Sequence, residues 1–218
     1  MKPPRESLIA GLVPASASAE SHRGLADAAL FGSEADAVAG ACPTRRREFA
    51  MVRACARVAL RGLGMDPCPI LPDSDRVPRW PAGVVGSMTH CPGYRAAVVA
   101  RAADHQGIGV DAEPHAGLPG DVAELLLRED ERACLRPLQA AHPEVHWDRV
   151  TFCAKEAVFK AWYPVTRHWL DFDDVSTRLC PDGSLQARIP GRVLAGQWVI
   201  GRGLVAVGAW LERTEARP

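Results

Sequence analysis

The chain has 218 residues, 47% hydrophobic and 24% charged, the balance of a globular protein with one domain or two of about 100 residues each. Its 26 basic and 26 acidic side chains cancel, which argues against a nucleic-acid binder held by a net basic surface. No apolar run approaches the ~20 residues of a membrane span, and Leu8 to Val13 is too short for a signal peptide.

Along the chain, residues 45 to 63 read as a helix. Phe49, Val52, Ala56 and Ala59 recur at helical spacing, Thr44 serves as N-cap, and Gly62 and Gly64 supply the stop. Residues 45 to 61 also hold six arginines against Glu48 alone. Prolines over residues 67 to 81 predict a long loop ending at Trp80-Pro81. Val84 to His90 and Arg95 to Arg101 read as strands joined through Cys91-Pro92-Gly93-Tyr94, and Gly107 to Glu113 as a third strand. Residues 121 to 138 predict a helix running up to Pro137, and residues 148 to 162 another, ended by Pro164. Gln197 to Leu211 reads as a second hairpin turning at Gly201-Arg202-Gly203. A helix followed by a hairpin thus occurs in each half. The expected fold is α/β (α+β), two similar subdomains related by pseudo-twofold symmetry, residues 1–105 and 106–218.

Seven cysteines form no C-x-x-C pair, so a disulfide framework or zinc site is not expected and a reducing cytoplasm is. Strand alternation sends Ile108, Val110 and Ala112 to one face and Gly109, Asp111 and Glu113 to the other. Adjacent carboxylates are a way to hold magnesium, although exposed strand faces carry such pairs too. Eight acids over residues 104 to 131 against Arg128 alone, set beside the arginine helix, fit either a metal-bound polyphosphate site or two surface patches. Glu156 and Lys160 fall one turn apart on a helix flanked by Phe152, Phe159 and Trp162. They are either a surface pair or, if partly buried, a base and a cation for phosphoryl chemistry. Only three basic residues are lysines, Lys2, Lys155 and Lys160, so the last two, five residues apart, point to a need for ammonium groups. In Gly86-Ser-Met-Thr-His90, alternation pairs Ser87 with Thr89 and Met88 with His90 on opposite faces.

The ordered set Gly86-Ser-Met-Thr-His-Cys-Pro-Gly-Tyr94, Gly109-Val-Asp-Ala-Glu113 and Phe152-Cys-Ala-Lys-Glu-Ala-Val-Phe-Lys160 resembles the Sfp-type 4′-phosphopantetheinyl transferases, the actinobacterial branch above all. Arg45-Arg-Arg-Glu-Phe49, Arg53 and Trp80-Pro81 also fit, and the likeness runs from about residue 8 to residue 211. The resemblance implies a two-subdomain α/β monomer with pseudo-twofold symmetry and its active site between the halves. It would bind coenzyme A and magnesium (or manganese) and transfer phosphopantetheine to a serine of apo acyl or peptidyl carrier proteins, with no nucleic-acid or membrane partner. Adenosine 3′,5′-bisphosphate would be released.

By the same resemblance Asp111, Glu113, the Ala112 carbonyl and Glu156 would hold the metal, with Glu156 a ligand or the general base. Lys160 would contact the pyrophosphate, with Lys155 close by. Thr89 and His90 would bind a coenzyme A phosphate, Arg45 and Arg53 its 3′-phosphate end, and Trp169 would line the pantetheine channel. Arg45 and Arg53 lie about 12 Å apart along a helix axis, which makes Arg46 a rival for Arg45. Where close relatives tend to carry a loop lysine that contacts the nucleotide, this chain has Pro72, with Arg76, Arg79 or the loop amides as alternatives in its place. Two other functions compete: a non-catalytic module binding coenzyme A or a nucleotide through the arginine helix, and a hydrolase using Ser87, His90 and Asp111.

Overall fold

A computed structural model describes residues 7–23 and 28–213; Lys2 lies outside them. A 3-10 turn (Ala10–Leu12) leads to β1 (Ser18–Arg23), α1 (Gly32–Ala37) and α2 (Pro43–Gly62). The hairpin β2 (Val84–Cys91) and β3 (Tyr94–Arg101) follows, then β4 (His105–Pro114). Three helices come next, α3 (Gly120–Leu126), α4 (Glu129–Ala141) and α5 (Trp147–Thr166). A 3-10 turn (Phe172–Asp174) opens the final run of β5 (Ser176–Leu179), β6 (Ser184–Ile189), β7 (Arg192–Gly201) and β8 (Leu204–Glu212). The strands form two antiparallel sheets, ordered β1-β3-β2 and β4-β8-β7-β6-β5, so the fold is the mixed α+β arrangement expected. No helix of the described residues is long and apolar enough to cross a membrane.

Each sheet carries one long helix. Cys55, Ala56, Ala59 and Leu60 of α2 pack on Ala97 and Val99 of β3. In α5 the buried positions Val150, Ala154, Ala157, Val158 and Ala161 recur at helical spacing and cover β4 and β8. The approach to β4 is close because Gly107 and Gly109 face the helix. A Cβ at Gly109 would run into the Ala157 carbonyl oxygen and stand 2.7 Å from the Ala161 nitrogen.

The two sheets meet where β2 lies beside β4 without a backbone ladder between them. Side-chain hydroxyls make the connection instead. Val110 N–H donates to Ser87 Oγ at 3.1 Å, and Ala112 N–H to Thr89 Oγ at 3.3 Å. Ser87 and Thr89 therefore share the face toward β4, while Met88 packs against the α2 cluster, as alternation requires.

Several expected boundaries move. Cys42, not Thr44, is the N-cap of α2, with Pro43 in the first turn, where its missing N–H is not needed. The helix expected over 121 to 138 is two helices, because Leu127 is extended and Glu131 caps the Arg128 N–H at 3.2 Å. Pro137 lies inside α4 and Pro164 inside the last turn of α5. Strands β1, β5 and β6 were not expected. β1, reading SAESHR, is half-buried along its length and has no apolar alternation to announce it.

Replacing Gly109 by alanine is expected to push α5 off β4 and destabilise the protein by about 1–3 kcal/mol or more, the cost of overpacking a closed interface. Urea denaturation measures it; an unchanged midpoint would mean that the helix has room to shift.

Candidate active site

Asp111, on β4 opposite Val207, is the centre of the site. Its Oδ1 accepts from Lys160 Nζ at 2.6 Å and from the Thr89 hydroxyl at 3.0 Å. Its Oδ2 is buried and has no protein partner. Glu113, two residues along the same face, and Glu156, one turn before Lys160, are both held above the ordinary glutamate range. Burial is the main cause for each, and the charge of Asp111 adds to it. Burial pulls the Lys160 ammonium down, but Asp111 and Glu156 more than reverse this and keep it protonated. The face is thus a partly desolvated cluster of three carboxylates with one ammonium.

Among the described residues no three His, Cys, Asp or Glu side chains already converge on one point as a finished metal site. The chemistry of the donors nonetheless fits a divalent cation. Asp111 Oδ2 is an oxygen with no hydrogen-bond donor, and the neighbouring glutamates are raised first by burial and then by the charge of Asp111, both of which a hard cation would offset. Ala112 lies between the two strand acids, opposite Ala206.

A cleft of about 650 Å³ opens beside this cluster, within the range of small-molecule sites. Arg45, Arg53 and His90 line it from α2 and β2, and Lys160 and Trp169 from and just beyond α5. Lys160 both faces the cleft and holds Asp111, so it joins the two regions. His90 Nε2 lies 3.3 Å from Arg45 and 3.6 Å from Glu48. Burial, then Arg45, Lys160 and Arg95, lower its pKa against the pull of Glu48. Trp169 is 66% exposed, with Phe159 and Tyr163 at its edge, 4.9 and 5.9 Å between ring centroids. Glu156 opens on a smaller recess of about 280 Å³ whose wall includes Phe159, Trp169, Leu170 and Phe172.

Arg53 reaches the cleft from a buried position. Its Nε donates to the Ile70 carbonyl at 2.7 Å, its guanidinium stacks on Phe49, and Glu34 Oε1 is 3.9 Å away. Burial lowers it to about 10, with Glu34 opposing. Glu34 itself is fully buried. It pairs with Arg57 at 2.9 Å and accepts the amides of Phe31 at 3.1 Å and Ile70 at 2.9 Å. Sequence reasoning missed Glu34. The signal was indirect: an arginine-rich helix packed on a sheet needs a carboxylate from elsewhere.

Three expectations change. Lys155 is not beside Lys160; its ammonium donates to Leu126 O at 2.8 Å, Glu131 Oε2 at 2.7 Å and Phe172 O at 2.9 Å. All three of its protons are used, which leaves it a structural anchor. The Thr89 hydroxyl is buried and committed to Asp111 and the Ala112 amide rather than facing a phosphate. Ser87, His90 and Asp111 form no triad. The Ser87 hydroxyl is buried on the Val110 amide, and His90 lies on the other face of β2 with Arg45 and Glu48.

Comparison with known proteins shows the family. Residues 33–100 match the model of the 4′-phosphopantetheinyl transferase N-terminal domain, and residues 107–209 that of the 4′-phosphopantetheinyl transferase superfamily. The chain is 51% identical to 4′-phosphopantetheinyl transferase Svp of Streptomyces mobaraensis over 81% of its length and 76% of that protein's. Against 4′-phosphopantetheinyl transferase PptT of Mycobacterium tuberculosis it is 41% identical, covering 91% of this chain and 96% of the relative. This chain is a member of the 4′-phosphopantetheinyl transferase family. The transferase Npt of Nocardia iowensis, 40% identical over 79% of this chain and 85% of its own, makes a third actinobacterial relative. Family membership rules out the hydrolase reading, in line with the dispersed triad.

In this transferase Lys155→Met is expected to destabilise the fold by about 3–5 kcal/mol, because it strands Glu131 as an uncompensated buried charge. The double variant Lys155→Met with Glu131→Leu is expected to recover only part of that loss, because it also leaves the Arg128 amide and the Thr177 amide and hydroxyl without their acceptor. Thermal melts of the three proteins check it, and a Lys155→Met protein as stable as the parent would return Lys155 to the active site.

Proposed function

We propose that this transferase moves the 4′-phosphopantetheine group of coenzyme A to a serine hydroxyl of apo acyl or peptidyl carrier proteins. The observation that carries this reading is Lys160, which faces a basic, ligand-sized cleft and is bonded to a buried carboxylate at 2.6 Å. Polyphosphate and acid cluster are thereby brought to one ammonium. Arg45, Arg53 and His90 bind the 3′-phosphate end and a pyrophosphate oxygen, and the pantetheine arm follows Trp169 and Phe159 toward the recess holding Glu156. The chain works as a cytoplasmic monomer of two subdomains that divide near residue 105, with no nucleic-acid or membrane partner.

In the reaction the serine oxygen forms a bond to the phosphorus bearing pantetheine. The bond from that phosphorus to the bridging oxygen breaks, and adenosine 3′,5′-bisphosphate departs. Glu156 takes the serine proton; burial and Asp111 make it a stronger base than an ordinary glutamate. Lys160 stays protonated and offsets charge on the leaving phosphate. Asp111 and Glu113, with the Ala112 carbonyl, would hold magnesium or manganese. When bound, the ion supplies Lewis-acid stabilisation of the pyrophosphate oxygens. Thr89 and Lys160 fix Asp111 Oδ1 and so leave Oδ2 for that purpose.

Incubation with coenzyme A, magnesium and an apo carrier protein, read by intact mass, tests the function. Transfer that stops in EDTA supports it; coenzyme A binding without turnover would favour a non-catalytic module. Glu156→Gln is expected to cut kcat by about 10²–10⁴-fold, the contribution of a positioned base. Magnesium affinity, measured by calorimetry, should be unchanged in this variant and lost in Asp111→Ala. Lys160→Arg should not restore the rate lost in Lys160→Ala, since a planar fork does not replace a compact ammonium. Wild-type single-turnover rates in folded Glu156→Gln would remove its role as base.

A further inference from the structure

The loop from Leu71 to Arg79 is closed on itself. Asp73 N–H donates to Val77 O at 2.9 Å and Arg79 N–H to Leu71 O at 2.8 Å, with Pro72 bridged to Pro78. Asp73 Oδ1 accepts the amides of Asp75 and Val77, both at 2.9 Å. Pro72, Asp75, Arg76 and Val77 form part of one wall of the substrate cleft.

The bond from this loop to the opposite wall comes from Arg167, the residue that ends α5. Its NH2 lies 2.7 Å from Asp73 Oδ2 and its NH1 3.2 Å from Asp75 Oδ2. The packing around this contact is open: a gap of about 290 Å³ separates the loop at Val77 and Pro78 from α5 at Pro164 and Val165. Two non-glycine residues with positive φ stand here, Arg76 at 65° and Arg167 at 59°. A helix commonly ends on a glycine in this conformation, and such strain persists where the surroundings hold it and a function uses it. Arg76 lines the cleft, and its guanidinium has no hydrogen bond or ion pair among the described residues.

We propose that Arg167 is a positioning residue. Its paired contacts with Asp73 and Asp75 latch the 71–79 loop across the cleft and hold Arg76 toward the phosphates of coenzyme A, whose oxygens match a guanidinium fork. The proposal rests on the coenzyme A reading above. Exposed ion pairs add little to fold stability and are screened by salt. Arg167 is 46% and Asp75 49% exposed at the side chain, and Asp73, at 12%, keeps the Asp75 and Val77 amides on its other oxygen when Arg167 is lost, so the contact bears on the shape of the cleft more than on the fold. Breaking the latch removes binding shared by ground and transition states, so it raises KM and leaves kcat in place.

Calorimetric titration of coenzyme A, and of adenosine 3′,5′-bisphosphate, into the parent protein and Arg167→Gly tests the latch. Glycine suits the left-handed backbone, so Arg167→Gly is expected to melt no lower than the parent. Its Kd and KM for coenzyme A are expected to rise about fivefold or more, with kcat unchanged, and the difference from the parent should shrink at high salt. Arg76→Ala should weaken binding as well. The double variant should be no weaker than Arg76→Ala alone, because Arg167 acts through Arg76. Parent-like Kd and KM in folded Arg167→Gly, or fully additive losses, would overturn the latch alone. A parent protein that binds no coenzyme A would remove the functional reading and the latch with it.

Discussion

The site depends on how one edge of β4 is satisfied. The amides of Val110 and Ala112 are buried at a junction where no neighbouring strand offers carbonyls, and each would cost about 1–3 kcal/mol if left unpaired. Ser87 and Thr89 accept them instead. A hydroxyl differs from a carbonyl in that it also donates. Thr89 uses that second capacity on Asp111, so the contact that joins the sheets also orients the central acid. The period of two along both strands makes this possible, since residues 87 and 89 meet 110 and 112 while 111 turns to α5. A one-residue slip would lose the junction and the acid together.

Close approach on the face that Asp111 shares with Gly107 and Gly109 completes the arrangement. Gly107 and Gly109 let α5 settle against the strand, which brings Lys160 within 2.6 Å of Asp111. Small residues two and four positions before the acid thus set the distance between the acid and its cation. This explains why a motif rich in glycine and alanine carries the chemistry. Its small side chains set the spacing, and its charged ones are those the proposed reaction uses.

The parts of the molecule legible in the sequence were those governed by local periodicity. The β2–β3 hairpin, β4 and the β7–β8 hairpin follow from alternation and turn residues, α2 and α5 from helical spacing, and the shared face of Asp111 and Glu113 from the pleat. What stayed hidden depends on partners distant in the chain. Lys155 and Lys160 look equivalent in sequence, yet five residues on a helix turn a side chain through more than a full turn. One therefore meets Glu131 and the other Asp111. Glu34 sits in a short helix with no amphipathic pattern, and its importance appears only once Arg53, Arg57 and Ile70 close around it. The helix break before Glu131 has the same origin: that carboxylate caps α4 and also accepts from Lys155 and Thr177, a tertiary demand that overrides helix propensity.

The two buried acids on either side of the cleft solve opposite problems. Glu34 is saturated, with two amides and Arg57 on its oxygens and Arg53 close by, so its charge is used up in holding structure. It stands beside the Arg53 guanidinium, at 3.9 Å from Nε, and Arg53 still borders the cleft. Asp111 is left incomplete, with two donors on one oxygen and none on the other. In a partly desolvated site an oxygen without a donor is costly, and a bound cation would offset that cost. The two carboxylates are therefore distinguished by what remains unsatisfied, since burial is nearly the same for both, and it is the unsatisfied one that the proposed reaction uses.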